Sequence, residues 1–169
     1  RRVLFRSIEA RLPVKLLMET RVEDIIRDEK ILPKYRAAGV IHLYLGTEGG
    51  SDEQLVALNK GTTVDLNKKA MDLARANDIM TEASFMIGGP METWASVEKT
   101  IAEAIRVNPD IAVFPVLTPM PFTPIYEQFK ERVRVKDWSK YNLATPIVEP
   151  YAMTLEEVMV ALGKCYMTF

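Results

Sequence analysis

Residue 48 is a glutamate in a glycine-rich stretch, where a predicted strand ends and a predicted helix begins. Residues 41–51 have the sequence I-H-L-Y-L-G-T-E-G-G-S, and the alternation of side chains up to Gly46 predicts a strand. Ser51 supplies an oxygen that can cap a helix beginning near Glu53. A carboxylate beside glycines at the carboxyl end of a strand is typical of ligand sites in α/β sheets, because glycine lets a ligand approach the backbone. The alternative is a capped turn whose glutamate is solvated.

Polar side chains recur on one face of three predicted strands. They alternate with apolar side chains that are expected to pack under helices. The residues of the polar face are Lys15, Leu17, Glu19 and Arg21 on the first strand, His42, Tyr44, Gly46 and Glu48 on the second, and Glu82, Ser84, Met86 and Gly88 on the third. A sheet covered by helices on both sides is apolar on both faces, so this pattern favours a barrel lumen that binds a polar ligand. The alternative is a set of buried ion pairs, such as Glu19 with Lys15 or Arg21, although such pairs stabilise a fold poorly.

The strands that carry these groups alternate with helices along the chain. Strands are predicted near residues 14–20, 41–46, 80–88 and 111–117. Their spacing suits parallel strands joined by right-handed helical crossovers, which is an α/β fold. Four strands cannot close a barrel, so we expect an open half-barrel with unpaired edges. Such a fragment is expected to associate with a second copy of itself.

Helical periodicity predicts six helices after the first strand. They lie near residues 25–38, 52–59, 64–77, 94–107, 125–132 and 154–167. Pro33 lies inside the first of them, so a break near Leu32 is expected. Thr154 and Glu157 make a capping box for the last. The helix near residues 94–107 is expected to bury Val97, Ile101, Ala104 and Ile105. Residues 137–150 show little periodicity and are predicted to lie extended on the surface.

Composition excludes several classes of protein and site. A net charge of −1 provides no electrostatic attraction to nucleic acid or to an anionic membrane, and no apolar run approaches the length of a membrane span. The single cysteine, Cys165, excludes an internal disulfide framework, is predicted to be core, and favours a reducing cytoplasm. The single histidine, His42, makes no metal site without partners. Residues 1–10 resemble the interior of a helix, which predicts that the chain is part of a longer protein.

Several short motifs occur in an order and at spacings that match a known enzyme family. They are M-E-T-R at 18–21, A-G-V at 38–40, L-G-T-E-G-G-S at 45–51, K-G-T-T at 60–63, F-M-I-G-G-P-M-E-T at 85–93 and P-M-P-F-T-P at 119–124. On these motifs the chain resembles the cobalamin-dependent radical S-adenosylmethionine enzymes over nearly its whole length. The tail motifs, S-K-Y-N-L-A-T-P-I-V-E-P at 139–150, M-T-L-E-E at 153–157 and C-Y-M-T-F at 165–169, resemble more specifically the family members that oxidise a magnesium porphyrin.

The resemblance implies a partial (β/α)6 barrel, TIM-like, of which residues 1–136 hold the last four strands. A C-terminal extension with a final helix then occupies residues 137–169. It also implies an oxidoreductase whose 5′-deoxyadenosyl radical, made from S-adenosylmethionine, abstracts hydrogen from a porphyrin and starts closure of the isocyclic ring of bacteriochlorophyll. The Cys-x-x-x-Cys-x-x-Cys loop for the [4Fe–4S] cluster and the cobalamin domain are absent from this sequence. Both groups are therefore expected to be bound by other parts of the parent protein, and the isolated chain is expected to be inactive.

Two charged residues are implied to bind S-adenosylmethionine by their match to the family's motifs. Glu48 corresponds to a strand-end glutamate in reach of the amino or ribose groups of the ligand. Arg21 corresponds to an arginine whose guanidinium suits the methionyl carboxylate. The alternative for Arg21 is a surface ion pair with Glu23 or Asp24.

Further residues are implied to contact the adenosine or the substrate. The residues matching the strand and turn that cradle the adenosine are Ser84, Met86, Gly88 and Gly89. The residues expected to line the substrate are Glu19, His42, Tyr44, Glu82, Met120 and Phe122. The alternative for Met120 and Phe122 is packing under the tail, and His42 is expected to be a hydrogen-bonding residue of the lumen. Glu92 is expected to cap the following helix.

Two other functions fit the same residues. One is a sister enzyme of the family, such as a methyltransferase acting on another hydrophobic substrate. The other is a non-catalytic α/β binding module in which the lumen residues are structural. Turnover of S-adenosylmethionine by the full-length protein, and its loss in Glu48→Ala and Arg21→Ala variants, distinguishes the enzymes from the module.

Overall fold

The computed structural model describes residues 2–169, with the side chains of Arg2 and Val3 outside the description. The part of the opening helix predicted for Arg1 therefore lies outside the described residues. Along residues 2–169 one sheet of four parallel strands alternates with helices, which confirms the predicted α/β class. The strands are β1 (Leu16–Thr20), β2 (Val40–Glu48), β3 (Met80–Phe85) and β4 (Ile111–Val113). The helices are α1 (Arg2–Glu9), α2 (Val22–Arg27), α3 (Leu32–Ala37), α4 (Asp52–Ala57), α5 (Val64–Arg75), α6 (Trp94–Val107), α7 (Pro124–Phe129) and α8 (Leu155–Thr168).

The strands lie side by side in the order in which they occur in the chain, β1-β2-β3-β4. A strand order without reversal is that of a barrel wall, whereas a doubly wound sheet reverses at a switch point. The register places Glu19 opposite Tyr44, Tyr44 opposite Glu82, and Gly46 opposite Ser84. The carboxyl ends of the strands therefore meet at one rim, and β1 and β4 form the two edges.

Three strands are shorter than predicted, since β1 begins only at Leu16 and two others end early. The ladder of β3 ends at Phe85 and that of β4 at Val113. Pro115 has no N–H group with which to continue the β4 ladder. One isolated parallel bridge, between Ile87 and Val116, follows beyond it. The chain beyond Phe85 is thereby released from regular pairing just where it reaches the rim.

The apolar face of the sheet is the core, as the alternation predicted. Leu43 and Leu45 of β2 and Ala83 and Phe85 of β3 are completely buried under the helices. Phe85 stacks on Phe114 beyond β4, with ring centroids 5.8 Å apart. The polar side chains of the same strands consequently point to the other face.

Pro33 breaks the first crossover into two helices, as predicted. The chain leaves α2 at Arg27, passes through a 3₁₀ turn, Glu29–Ile31, and enters α3 with Pro33 in its first turn, where its missing N–H is tolerated. The junction is held by the buried carboxylate of Asp28, which accepts hydrogen bonds from Arg27 and from the Tyr35 hydroxyl.

Helix α6 has the predicted bounds but not the whole predicted face. Val97, Ile101 and Ala104 are buried as expected, whereas Ile105 is half exposed, so that part of the prediction is wrong. The buried stripe continues instead through Glu103, which is nearly inaccessible. This carboxylate is tolerated there because it pairs with Arg106 one turn later, at 2.7 Å.

The tail does not lie wholly on the surface, which corrects the prediction for residues 137–150. Ile147 and Val148 are buried. The Arg134 N–H donates to the Ile147 carbonyl and the Glu149 N–H donates to the Arg132 carbonyl, both at 2.9 Å. This short antiparallel pairing supplies partners for a segment whose sequence has no periodicity.

The final helix agrees with its prediction. Thr154 and Glu157 form the capping box of α8, and Cys165 is buried in the core. No helix within the described chain has both the length and the apolar character needed to cross a bilayer. The predicted division of the chain after residue 136 stays a prediction.

Candidate functional site

A cavity of about 840 Å³ lies at the rim where the carboxyl ends of the strands meet. Small-molecule sites in proteins have volumes of about 300 to 1,000 Å³. Its lining includes Arg21 after β1, Glu48 at the end of β2, Ser84 in β3, Met86 beyond β3 and Pro115 beyond β4. Every strand of the described sheet therefore contributes to one concave surface.

The structure brings about half of the predicted site residues to this cavity. Those that line it are Arg21, Glu48, Ser84, Met86, Glu19 and Tyr44. Those that do not are Gly88, Gly89, His42, Glu82, Met120 and Phe122. The parity of the strands accounts for the first set, because residues on one face near the carboxyl ends converge. The second set lies lower in the sheet or beyond the rim.

Glu48 adopts a left-handed backbone conformation, with φ of 66°. This conformation costs a residue with a side chain about 1–2 kcal/mol. Its carboxylate folds back over Gly46, where an added Cβ would lie 2.7 Å from Oε1 of Glu48. Gly46 thus makes room for the side chain of Glu48. The sequence pattern suggested a different reason for a glycine here, namely that a ligand approaches the backbone.

Hydrogen bonds to the β3 segment and within the turn itself hold the strained conformation. The Met86 N–H donates to the Glu48 carbonyl at 3.0 Å. The Thr47 hydroxyl donates to the Ser84 carbonyl at 2.5 Å, and the Gly49 N–H donates to the Thr47 carbonyl. Strain that the surroundings over-determine in this way is characteristic of functional sites.

The segment between α4 and α5 covers one side of the cavity and places Lys60 on Glu48. Lys60 Nζ donates to Oε1 of Glu48 at 2.9 Å. The segment is anchored by Asn67 of α5, which is completely buried. The Asn67 side chain donates to the Thr47 carbonyl at 3.2 Å and accepts from the Thr62 hydroxyl at 3.0 Å.

Sequence reasoning did not identify Lys60 or Asn67 as site residues. Lys60 belongs to the K-G-T-T motif at 60–63, which resembles the family, but no role was predicted for this lysine. The signal that points to Asn67 is an amide on the buried stripe of α5, since a buried polar side chain requires hydrogen-bond partners.

Among the described side chains, Arg21 and Lys15 have no carboxylate partner and Glu19 has no cationic partner within 4.0 Å. This contradicts the alternatives in which these residues neutralise one another or Arg21 pairs with Glu23 or Asp24. The described lining carries four carboxylates, Glu19, Glu23, Asp24 and Glu48, against two cations, Arg21 and Lys60, a formal charge of −2. The cavity therefore favours a ligand with net positive charge.

The turn after β3 packs into the core and not against the cavity. Gly88 has φ of 74°, and an added Cβ would lie 3.0 Å from the side chains of Val116 and Val158. The buried Glu92 accepts a hydrogen bond from the Gly88 N–H at 2.9 Å and another from the Ser96 hydroxyl. Burial raises the pKa of the Glu92 carboxyl, against the lowering effect of these hydrogen bonds.

Glu92 is not the cap of α6, which corrects the expectation that it caps this helix. Thr93 and Ser96 form the capping box of α6. Glu92 braces the preceding turn instead, and the predicted contact of Gly88 and Gly89 with an adenosine stays a prediction.

His42 and Glu82 contact each other at the amino-terminal half of the sheet, below the cavity. His42 Nε2 lies 3.0 Å from Oε2 of Glu82, and the histidine side chain is 8% exposed. The imidazole therefore faces a carboxylate, and its predicted role as a hydrogen-bonding residue of the lumen stays a prediction. Its Nδ1 has no hydrogen-bond partner within the described part of the chain.

Met120 and Phe122 follow β4 in the irregular loop that leaves the rim. Phe122 is completely exposed and Met120 is 43% exposed. The expectation that they pack under the tail is therefore wrong. Prolines on both sides of these residues hold the loop away from the sheet.

Leu143 is a cavity residue that no sequence pattern indicated. It belongs to the tail, has φ of 62°, and lines the cavity together with Pro115. The tail around it has no periodicity, so nothing in the local sequence distinguishes this leucine from its neighbours.

The chain is similar to a known protein family and to several curated proteins. Residues 5–104 match the family model described as the radical SAM superfamily. The chain is 42% identical, over 90% of its length, to the anaerobic magnesium-protoporphyrin IX monomethyl ester cyclase of Rubrivivax gelatinosus, and 42% identical over 92% to that of Cereibacter sphaeroides. It is 28% identical, over 68% of its length, to bacteriochlorophyllide d C-12(1)-methyltransferase of Chlorobaculum tepidum, covering 25% of that protein. The chain spans 27% and 26% of the two cyclases.

Solved structures share the fold. The methyltransferase TsrM from Kitasatospora setae, with cobalamin and a [4Fe-4S] cluster bound, superposes with a TM-score of 0.68 at 19% identity, covering 78% of this chain and 27% of that one. The cobalamin-dependent enzyme OxsB, with aqua-cobalamin bound, gives a TM-score of 0.51 at 18% identity over 97% of this chain and 26% of that one. These similarities confirm the predicted parallel partial-barrel fold.

Proposed function

Because the chain belongs to the radical S-adenosylmethionine superfamily, we propose that its cavity binds S-adenosylmethionine as part of a longer radical enzyme. The observation that carries the proposal is the convergence of Arg21, Glu48 and Ser84 from three neighbouring strands on one cavity. Side chains that converge at the carboxyl ends of barrel strands are the usual construction of a ligand site.

The charges of the cavity complement those of the ligand. S-adenosylmethionine carries an ammonium, a sulfonium and a carboxylate, hence one net positive charge. The cavity carries a formal charge of −2 over its described lining. The guanidinium of Arg21, which no carboxylate of the described chain occupies, suits the ligand carboxylate by two parallel hydrogen bonds. The carboxylate of Glu48 suits the ammonium or the ribose hydroxyls.

In this proposal the residues of the chain bind and orient the ligand. Arg21 and Glu48 hold the polar end, and the hydrogen bonds around Thr47 keep Glu48 in its strained conformation before the ligand arrives. Such preorganisation reduces the entropic cost of binding. When bound, the iron–sulfur cluster of such an enzyme supplies the electron that cleaves S-adenosylmethionine.

The described residues do not fit an iron–sulfur cluster. Such clusters are held by several cysteine thiolates. Cys165 lies buried in α8, and burial raises the pKa of its thiol to about 11. We therefore place the ligands of the cluster, and those of cobalamin, in parts of the parent protein outside this sequence.

For the substrate we propose a magnesium porphyrin, oxidised on the way to the isocyclic ring of bacteriochlorophyll. The support is the 42% identity to two cyclases over 90% and 92% of the chain. The second candidate is methyl transfer to a related macrocycle, which the 28% identity to the Chlorobaculum tepidum methyltransferase favours. Comparing the products formed from magnesium-protoporphyrin IX monomethyl ester and from bacteriochlorophyllide d distinguishes the two.

The binding proposal is tested by equilibrium dialysis of labelled S-adenosylmethionine against the full-length protein that carries this chain. Arg21→Met and Glu48→Gln are each expected to weaken binding about tenfold or more, because each removes a charge-assisted hydrogen bond worth about 1.5–3 kcal/mol. Arg36→Met and Glu131→Gln change the same charges at exposed positions outside the cavity, and are expected to leave affinity unchanged. Equal affinities in all variants would contradict the assignment of Arg21 and Glu48 to the binding site.

A further inference from the structure

The tail contributes an apolar wall to the cavity through Leu143. Although this leucine lines a concave site, half of its surface is exposed. A single exposed leucine is ordinary, but one that lines a cavity together with Met86 and Pro115 offers a ligand an apolar surface.

The position of Leu143 is fixed by hydrogen bonds on both sides. The Val116 N–H donates to the Leu143 carbonyl at 2.7 Å, which ties the tail to the end of β4. The Asn142 side chain accepts from the Ala144 and Thr145 N–H groups at 3.0 and 2.9 Å. This turn holds Leu143 in the left-handed region, which leucine adopts at an energetic cost. The tail therefore presents Leu143 in one defined orientation.

The cavity changes character from one edge of the sheet to the other. At the β1 edge lie Glu19 and Arg21, both charged. Beyond β3 and β4 lie Met86 and Pro115, and the tail adds Leu143, so this side carries a thioether, a pyrrolidine ring and a branched aliphatic chain. Because the strands lie in chain order, β2 separates these apolar residues from Glu19 and Arg21 at the β1 edge.

We infer that Leu143, with Met86 and Pro115, packs against a flat aromatic ring of the ligand and determines the affinity for that ring. Aliphatic and thioether side chains contact aromatic faces favourably. The inference rests on the proposed function, which offers two such rings: the adenine of S-adenosylmethionine and the macrocycle of a porphyrin substrate. Neither ring needs a charged partner on this side of the cavity.

The test uses Leu143→Asn in the full-length protein, because asparagine tolerates the left-handed conformation and removes the apolar contact. Leu143→Met keeps an apolar side chain. Leu12→Asn is the matched control, since Leu12 is 52% exposed and lies outside the cavity. Equilibrium dialysis of S-adenosylmethionine measures the affinity for the ligand that carries the adenine ring. Equilibrium dialysis of magnesium-protoporphyrin IX monomethyl ester against the same proteins measures the affinity for the porphyrin ring.

Leu143→Asn is expected to weaken binding of one ligand about fivefold or more, while Leu143→Met and Leu12→Asn stay within about twofold of wild type. Loss confined to S-adenosylmethionine assigns the ring as adenine, and loss confined to the porphyrin assigns it as the macrocycle. Unchanged affinity for both ligands overturns the inference. A wild-type protein that binds porphyrin but not S-adenosylmethionine overturns the proposed cofactor site. The porphyrin affinities of the Leu143 variants then test the inference by themselves.

Discussion

Glu48 combines a strained backbone, a folded-back side chain and an ion pair in a single residue. Its φ of 66° is held by hydrogen bonds within the turn and by the bond from the Met86 N–H, beyond β3, to the Glu48 carbonyl. Gly46 supplies the space that its carboxylate occupies, and Lys60 supplies the opposite charge. The conformation of one carboxylate thus depends on contacts from two strands and a loop.

Gly46→Ala and Gly50→Ala are expected to have opposite consequences. At Gly46 an added Cβ meets the movable end of Glu48, so the free energy of unfolding should change by less than about 1 kcal/mol while S-adenosylmethionine affinity falls. At Gly50 the added Cβ would lie 2.4 Å from the Thr100 backbone, so this variant should lose about 1–3 kcal/mol. Urea denaturation and dialysis measure the two effects. Full affinity in a stable Gly46→Ala protein would show that Glu48 need not hold its present position.

Glu92 is expected to make stability depend on pH. Its pKa is raised by burial in the folded chain, so on raising the pH the unfolded chain releases this proton first. Stability is therefore greatest below the ordinary glutamate pKa and is lost as the pH rises through the raised value. Glu92→Gln has no such loss, so the stability of wild type relative to this variant should fall as the pH rises above the ordinary glutamate pKa.

Urea denaturation of both proteins at pH values from below to above the ordinary glutamate pKa measures the difference. Glu131→Gln, at an exposed position, is the control and should show no comparable slope. A difference between wild type and Glu92→Gln that stays constant or grows with pH would contradict the assignment of a raised pKa.

At the scale of elements, α5 reaches the cavity through one buried amide. Asn67 links the helix to the end of β2 and to the segment that carries Lys60. A single helix position therefore determines how the loop above the cavity closes onto Glu48.

Asn67→Leu is expected to cost about 1–3 kcal/mol, because it removes two buried hydrogen bonds, the one to the Thr47 carbonyl and the one from the Thr62 hydroxyl. The amides of residues 58–62 should also exchange hydrogen faster, since their anchor is lost. Urea denaturation measures the loss of stability, and hydrogen exchange measures the opening of residues 58–62. Asn77→Ala is the control, because its amide bonds a carbonyl near the far end of α5. Unchanged exchange over residues 58–62 would show that Asn67 does not anchor the loop.

Turn and cap chemistry explains which elements were predicted well. The break at Pro33, the Ser51 cap of α4 and the capping box of α8 depend on residues within a few positions of one another. The prediction that Ile105 of α6 is buried was wrong, because burial at this position depends on the packing of α5 and α8 against α6. No local sequence pattern describes that packing.

At the scale of the whole molecule, four parallel strands in chain order build one wall of a barrel, with β1 and β4 as its edges over the described residues. An edge strand presents unpaired N–H and C=O groups. The expected self-association of the isolated chain stays a prediction.

Light scattering of the purified chain over a range of concentrations measures that association. Dimers or larger species are expected, and their fraction should rise with protein concentration. Lys15→Pro, in the residue before β1, removes one N–H next to an edge and should reduce association, whereas Lys140→Pro, in the tail, should not. A monomer at every concentration would contradict the prediction.

The sequence by itself determined the α/β class, the sites of four strands and the convergence of Arg21, Glu48 and Ser84. These follow from alternation and from short-range capping, which act between residues close together in the chain. Only the tertiary structure decided that Lys60 pairs with Glu48, that Gly88 packs in the core, and that Leu143 forms a wall of the cavity. Those contacts join residues far apart in sequence, and their energies exist only once the loops and the tail have folded back onto the sheet.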